Sequence, residues 1–172
     1  MSHVYVIGNR LAEIVGEVLT SVAAEDLDTT TSRTSQLPGV EFRKRRSGTG
    51  RGTEPMRIDE GITIVPLKPV RGVGTNERDS VGYRYMIAIA YGTLTDTLED
   101  TDGGDWPLST WEEAIRRRLH NKRMGSMTLN SACEHRTSVE PGELPEWMRL
   151  ADGIDSTFLV VTEFIREGRR DG

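Results

Sequence analysis

The run Ser156-Thr-Phe-Leu-Val-Val-Thr-Glu-Phe-Ile165 is largely apolar on both of its faces, and few architectures can hold such a segment. Successive side chains of a strand point to opposite sides of the sheet. A strand with two apolar faces therefore needs cover on both. This places residues 156–165 at the centre of a sheet, with helices on one side and a partner on the other. A second run, Tyr83-Arg-Tyr-Met-Ile-Ala-Ile-Ala-Tyr91, sets Tyr83, Tyr85, Ile87, Ile89 and Tyr91 on one face of a strand.

Helical spacing appears twice. Leu11, Ile14, Val15, Val18, Leu19 and Val22 form one apolar stripe within the first 27 residues. Ahead of it, residues 4–7 read as a short strand or an early helical turn, with Gly8 and Asn9 as punctuation in either case. The second pattern starts at Pro107. Ser109 with Glu112, or Thr110 with Glu113, has the spacing of a capping box that satisfies amide hydrogens at a helix start. Trp111, Ala114, Ile115, Arg118 and Leu119 define its face, and Glu112–Arg116 and Glu113–Arg117 are favourable pairs four residues apart. The expected fold is α+β: a mainly antiparallel sheet flanked by an N-terminal helix and a second helix near residues 110–123.

Between these elements the signals are weaker. Residues 28–38 read as a loop. Residues 40–45 alternate like a strand and residues 62–67 suggest another, while residues 47–53 are too rich in glycine for regular structure. Residues 43–80 are accordingly expected as a long hairpin or extended Gly/Arg-rich arm, of the kind that orders against something else. Residues 127–139 look extended, Pro141-Gly142 ends them, and residues 144–150 suggest a helical turn. The 172 residues are expected to form a single domain, residues 1–172, large enough for a real core. An aromatic fraction of 6% and 18 glycines point to a modest core with polar excursions ordered by neighbouring subunits.

The net charge of −5 argues against a general nucleic-acid binder. Its distribution is uneven. Arg43, Lys44, Arg45, Arg46 and Arg51 form a basic island, while Asp100, Asp102 and Asp105 lie in an acidic one beside Trp106. Opposite islands suit contacts between copies of one chain; solvated loops are the plain alternative. The basic segment 43–51 also suits a phosphate backbone, though only Phe42 offers a base a stacking surface.

No reaction centre is evident. Residues 48–52 lack the Gly-Lys-Ser/Thr ending of a phosphate loop, and residues 4–8 lack the later glycines of a dinucleotide fingerprint. Asp100, Asp102 and Gly103 imitate half a calcium loop, but Leu98 and Ser109 occupy its first and last ligand positions. Cys133 and His135 supply two of the four ligands of a structural zinc, and a nucleophile pair with His120 as base lacks any oxyanion site. The expectation is no enzyme, no cofactor and no metal. One cysteine excludes an intramolecular disulfide and fits a reducing compartment. No run approaches the roughly 20 apolar residues of a membrane helix, and the first residues do not form a signal peptide.

The order of these elements resembles the tail-terminator and head–tail joining proteins of tailed bacteriophages. The resemblance rests on the leading helix (residues 11–22), the hairpin-like region 40–67, the 83–91 strand leading into the 111–119 helix, and the strand that closes with Val160-Val-Thr-Glu-Phe-Ile-Arg166. It implies a virion protein, made in the host cytoplasm, that assembles with itself into a ring, commonly a hexamer. Such a ring caps the tail tube and joins it to neck or connector proteins, with DNA passing through the lumen. The resemblance carries no catalytic residues. The long Gly/Arg-rich stretch departs from the pattern, and nucleic-acid binding through residues 43–51 is the alternative.

Overall fold

The computed structural model describes residues 2–25, 39–43, 55–72, 80–92, 107–120 and 135–166. In chain order they form α1 (His3–Glu25), β1 (Val40–Phe42), β2 (Met56–Ile58), β3 (Gly61–Pro66), β4 (Val70–Gly72), β5 (Ser80–Gly92), α2 (Pro107–Leu119), β6 (His135–Pro141), β7 (Met148–Leu150) and β8 (Ile154–Arg166). The class is α+β, with a mixed, mostly antiparallel sheet.

Two long strands make the spine. β5 and β8 pair antiparallel from Ser80↔Arg166 to Gly92↔Ile154. β6 takes the other side of β8, from His135↔Ile165 to Pro141↔Leu159, so the strand order is β1-β3-β5-β8-β6. The doubly apolar run is thus an interior strand, as its pattern requires. β3 and β4 share the remaining side of β5, with a one-residue change of register between Pro66↔Tyr85 and Val70↔Gly82. They are one strand bent by a bulge, with Pro69 where no ladder amide is needed.

Alternation divides the core. On one face Tyr85, Ile87, Ile89, Leu159 and Val161 meet Leu11, Ile14, Val15 and Val18 of α1 and Trp111, Ile115 and Leu119 of α2. On the other, Val65, Met86, Ala88, Ala90 and Phe158 meet Ile58 of β2 and Met148 of β7. Burying one such aliphatic side chain is worth about 2 kcal/mol, so neither face could stay wet. The second face was expected to need a partner. The chain covers it itself, with a parallel two-stranded ribbon of β2 and β7.

Several local expectations change. Residues 4–7 are helical, and Gly8 and Asn9 lie inside α1 rather than before it. Gly8 has a packing role: an added Cβ would lie 2.4 Å from Phe42 Cζ. The hairpin over residues 40–67 is not formed, because β1 and β3 run parallel, Val40↔Ile62 to Phe42↔Ile64. Two adjacent strands joined as a hairpin must be antiparallel. The expected arm of residues 43–80 is corrected for residues 55–72, whose Ile58, Ile62, Ile64 and Val65 are core. Its glycine-rich part, residues 44–54, lies outside the described residues.

Residues 144–150 hold a single turn, closed by the Met148 amide on the Pro145 carbonyl at 3.1 Å, that leads straight into β7 and not into a helix: Met148 enters the second core and the Met56 amide donates to the Trp147 carbonyl at 2.8 Å. α2 begins at Pro107, so Ser109 and Thr110 fall within its first turn and neither is an N-cap. Proline at a helix start gives up only an amide that has no helical partner. Glu113 pairs with Arg117 as expected, whereas Glu112 accepts a 2.9 Å hydrogen bond from Thr157 Oγ1 of β8. Arg118 is exposed, its long side chain reaching water from the rim of the apolar face. Among the described residues no helix is long and apolar enough to cross a membrane.

Candidate assembly surface

With the middle of both faces packed, the outer strands are where, among the described residues, backbone groups are left over from the ladders. Among these residues β6 ends the sheet on one side. The Gly142 amide donates to the opposed Phe158 carbonyl at 2.8 Å, which makes this a hydrogen-bonded pair. Such pairs alternate along an antiparallel ladder. Ser138 and Glu140 therefore bond to β8, and the backbone groups of Thr137, Val139 and Pro141 point away from it. Pro141 stands at an outward position, where its missing amide leaves the ladder to β8 intact. The side chains of Thr137 and Val139 turn into the helix-side core.

The opposite margin is built differently. β1 is short and bonds to β3 through Ile62 N to Gly39 O at 2.8 Å and Arg43 N to Ile64 O at 2.9 Å. Beyond it stand Pro66, the exposed Lys68 and the Pro69 bulge, all features that discourage indiscriminate strand pairing. β1 and β6 run in opposite directions, since β1 follows β3 and each later step to β5, β8 and β6 reverses direction.

Of the residues expected to make contacts, Arg43 is the one among the described residues, and it lies at this margin. Its Nε donates to Glu41 Oε2 at 3.0 Å and its guanidinium reaches the Arg57 carbonyl at 2.9 Å, tying β1 to β2. Lys44, Arg45, Arg46, Arg51, Asp100, Asp102, Asp105 and Trp106 lie outside the described residues, as does Cys133. His120 is exposed at the end of α2. A shallow cleft beside β1 is lined by Glu41, Arg43, Asp59 and Glu60, but among the described residues no group of three or more His, Cys, Asp or Glu could hold a metal ion.

No protein-family model matches this chain, and no curated protein does. The site must be argued from its own chemistry.

The residue that the sequence pattern did not single out is Glu163. It is 2% exposed on the helix side of β8, where it accepts a hydrogen bond from Oγ1 of the fully buried Thr137 of β6. Burial pushes its carboxyl up to about 7, with the Thr137 bond acting in the opposite sense. Nearby, Tyr85 Oη donates to the Val4 carbonyl at 2.7 Å and His3 stacks near Tyr83, so the first turn of α1 is pinned at this end of the sheet. The available signal was a lone acid in phase with Leu159 and Val161.

Proposed function

We propose that this chain is a structural subunit of a tailed-bacteriophage virion, a tail-terminator or head–tail joining protein that closes into a ring at the top of the tail. The observation that carries the reading is the pair of sheet margins. Each face of the sheet packs against other elements of the same copy, and the two outer strands among the described residues run in opposite directions. The β6 margin of one copy can therefore approach the β1 margin of the next as an antiparallel pair, repeated head to tail. A heterologous contact of this kind generates a ring when its rotation closes. Of the features on which the resemblance rests, the leading helix, the 83–91 strand, the 111–119 helix and the closing strand are elements of the fold, whereas the hairpin over residues 40–67 is not formed.

In such a ring the subunits work by contact rather than by reaction. It would cap the tail tube, meet neck proteins, and carry DNA through the lumen. The alternative of a nucleic-acid-binding module has less support. Arg43, the member of the basic segment 43–51 among the described residues, already holds Glu41 and the Arg57 carbonyl.

The experiment is the native mass of the purified protein with negative-stain imaging, beside the variant Val139→Pro. That change removes an outward amide from β6 and leaves the hydrogen-bonded pairs with β8 in place; because the Val139 side chain is also part of the helix-side core, Val139→Ala, which keeps the amide, is the control for lost packing. Rings in the wild type and smaller species with an unchanged circular dichroism spectrum in the variant are expected. Intact rings of Val139→Pro would sink the edge contact.

A further inference from the structure

We propose that copies of this chain join in one defined register, with Arg136 of β6 opposite Glu41 of the next copy's β1, and that every helix layer then falls on the same wall of the ring. The inference rests on the ring reading and deepens it. It is carried by the backbone groups each margin leaves over, the side on which the neighbouring side chains stand, and the order of charge along β6.

On β1, the Gly39 carbonyl and the Arg43 amide are bonded to β3. Bonds of a parallel pair are evenly spaced, so Glu41 bonds to β3 as well, and the backbone groups of Val40 and Phe42 point outward. On β6 the outward residues are His135, Thr137, Val139 and Pro141, by the alternation set at Gly142. The sides then match. Val40 and Phe42 pack against the helix-side core, Val139 belongs to it, and Thr137 is fully buried. Opposed residues of an antiparallel pair share a face, so a joint between these margins carries the helix side of one copy into the helix side of the next. A ring requires this, because rotation about its axis cannot turn a subunit over. Its wall would bear helices on one side and the ribbons of β2 and β7 on the other.

The register is chosen at Glu41. This residue stands between the two outward positions of β1, on the ribbon side, with its side chain exposed. The β6 positions that can fall opposite it are Arg136, Ser138 and Glu140, and their charges run from positive through neutral to negative. Opposite charges across such a pair stabilise and like charges destabilise. Glu41 already holds Arg43, and a carboxylate has room for a second donor. With Arg136 opposite Glu41, the bonded pairs are His135 with Phe42 and Thr137 with Val40, and all four residues carry an amide. With Ser138 there, Arg136 would meet Arg43. With Glu140 there, two carboxylates would meet and Pro141, which has no amide, would face Val40. Val139 is the next outward residue in the chosen register, so Val139→Pro tests the same margin.

Disulfide trapping reads the register with both charges in place. Gly39 accepts a cysteine, since an added Cβ meets nothing within 4 Å. In a Cys133→Ser background, Gly39→Cys is combined with Ser138→Cys or with Glu140→Cys. In the proposed register Ser138 stands opposite Gly39 as a non-hydrogen-bonded pair, with Cα atoms about 4.5 Å apart and within disulfide reach. Glu140 lies on the diagonal, about 7–8 Å away and beyond that reach. Mild oxidation should link the first double variant into dimers and higher multiples at least about tenfold faster than the second. Gly39→Cys and Ser138→Cys alone should stay unlinked, and a mixture of the two should stop at dimers. Faster linking through Glu140→Cys would overturn the register and leave the edge contact. Linking of Ser138→Cys alone would show β6 pairing with β6 and overturn the joint. Native mass separates the remaining cases: rings in which neither double variant links remove the β6–β1 joint and leave the ring, whereas a monomer that never links removes both.

Discussion

Replacing Gly8 by Ala sets two known effects against each other, and the structure decides the sign. Inside an exposed helix this change is worth about 1 kcal/mol in favour of folding. Here the new Cβ would lie 2.4, 2.5 and 2.8 Å from Cζ, Cε2 and Cε1 of Phe42. The ring has little freedom to retreat, because its edge contacts place it between Tyr5 and Tyr85, with centroids 6.4 and 6.3 Å away. Overpacking of this kind costs about 1–3 kcal/mol, so Gly8→Ala should destabilise the protein by about 1 kcal/mol net. In a Phe42→Leu background the obstruction is gone, and the same change should stabilise by up to about 1 kcal/mol. The double-mutant cycle then yields a coupling of about 2 kcal/mol between positions 8 and 42. Urea unfolding followed by circular dichroism gives the four midpoints, with unchanged slopes as the check that the unfolded states are comparable. A higher midpoint for Gly8→Ala in the wild-type background would refute the claim that Gly8 is there to admit the ring.

Two further outcomes follow from buried polar groups. Glu163 has a raised folded-state pKa, so its proton stabilises the fold fully below the ordinary carboxylate range. That contribution is lost as pH rises towards about 7, where it levels off, at about 1.4 kcal/mol per unit. Denaturant titrations at pH 5 and pH 8 should show the wild type less stable at the higher pH and Glu163→Gln nearly level; a wild type that gains stability over that interval contradicts the assignment. Tyr85→Phe deletes the 2.7 Å bond to the Val4 carbonyl and should cost about 1 kcal/mol, with faster amide exchange confined to the first turns of α1. An unchanged exchange pattern there would show that the hydroxyl does not pin the helix.

Much of the layering was readable because it depends on period. The two-sided run at residues 156–165 named an interior strand, and the odd-numbered run from Tyr83 to Ile89 set apart one face of a strand, which the structure packs against the helices. Pairing partners were not readable. Nothing local to residues 56–58 or 148–150 says that they meet, since each is three residues long and its partner is far along the chain. The same blindness hid β7: residues 144–150 read as a helical turn, while only the turn before Met148 is there and residues 148–150 are a strand. Gly8 misled for a related reason: a glycine reads as a break until the ring of Phe42, from another element, shows what its missing side chain makes room for. Glu163 was visible as a letter, but its burial depends on α1 and α2 closing over it. As for the charged contact residues, Arg43 alone could be placed, and its partners Glu41 and Arg57 are neighbours of its own sheet margin rather than another chain.

The position of β8, in the middle of the sheet but after every other described strand in the chain, has a consequence for synthesis. Until residues 154–166 leave the ribosome, β5 has only β3 and β4 beside it and β6 has no strand to pair with among the described residues. A nascent chain cannot complete the sheet piecemeal; the final segment inserts between strands already made and closes both layers in one late, cooperative event. A truncated product would therefore lack the interior strand and the hydrogen-bonded support for β6. Only a chain translated past residue 166 would carry a finished β6 margin, so β8 ties the readiness of that edge to the making of both core layers.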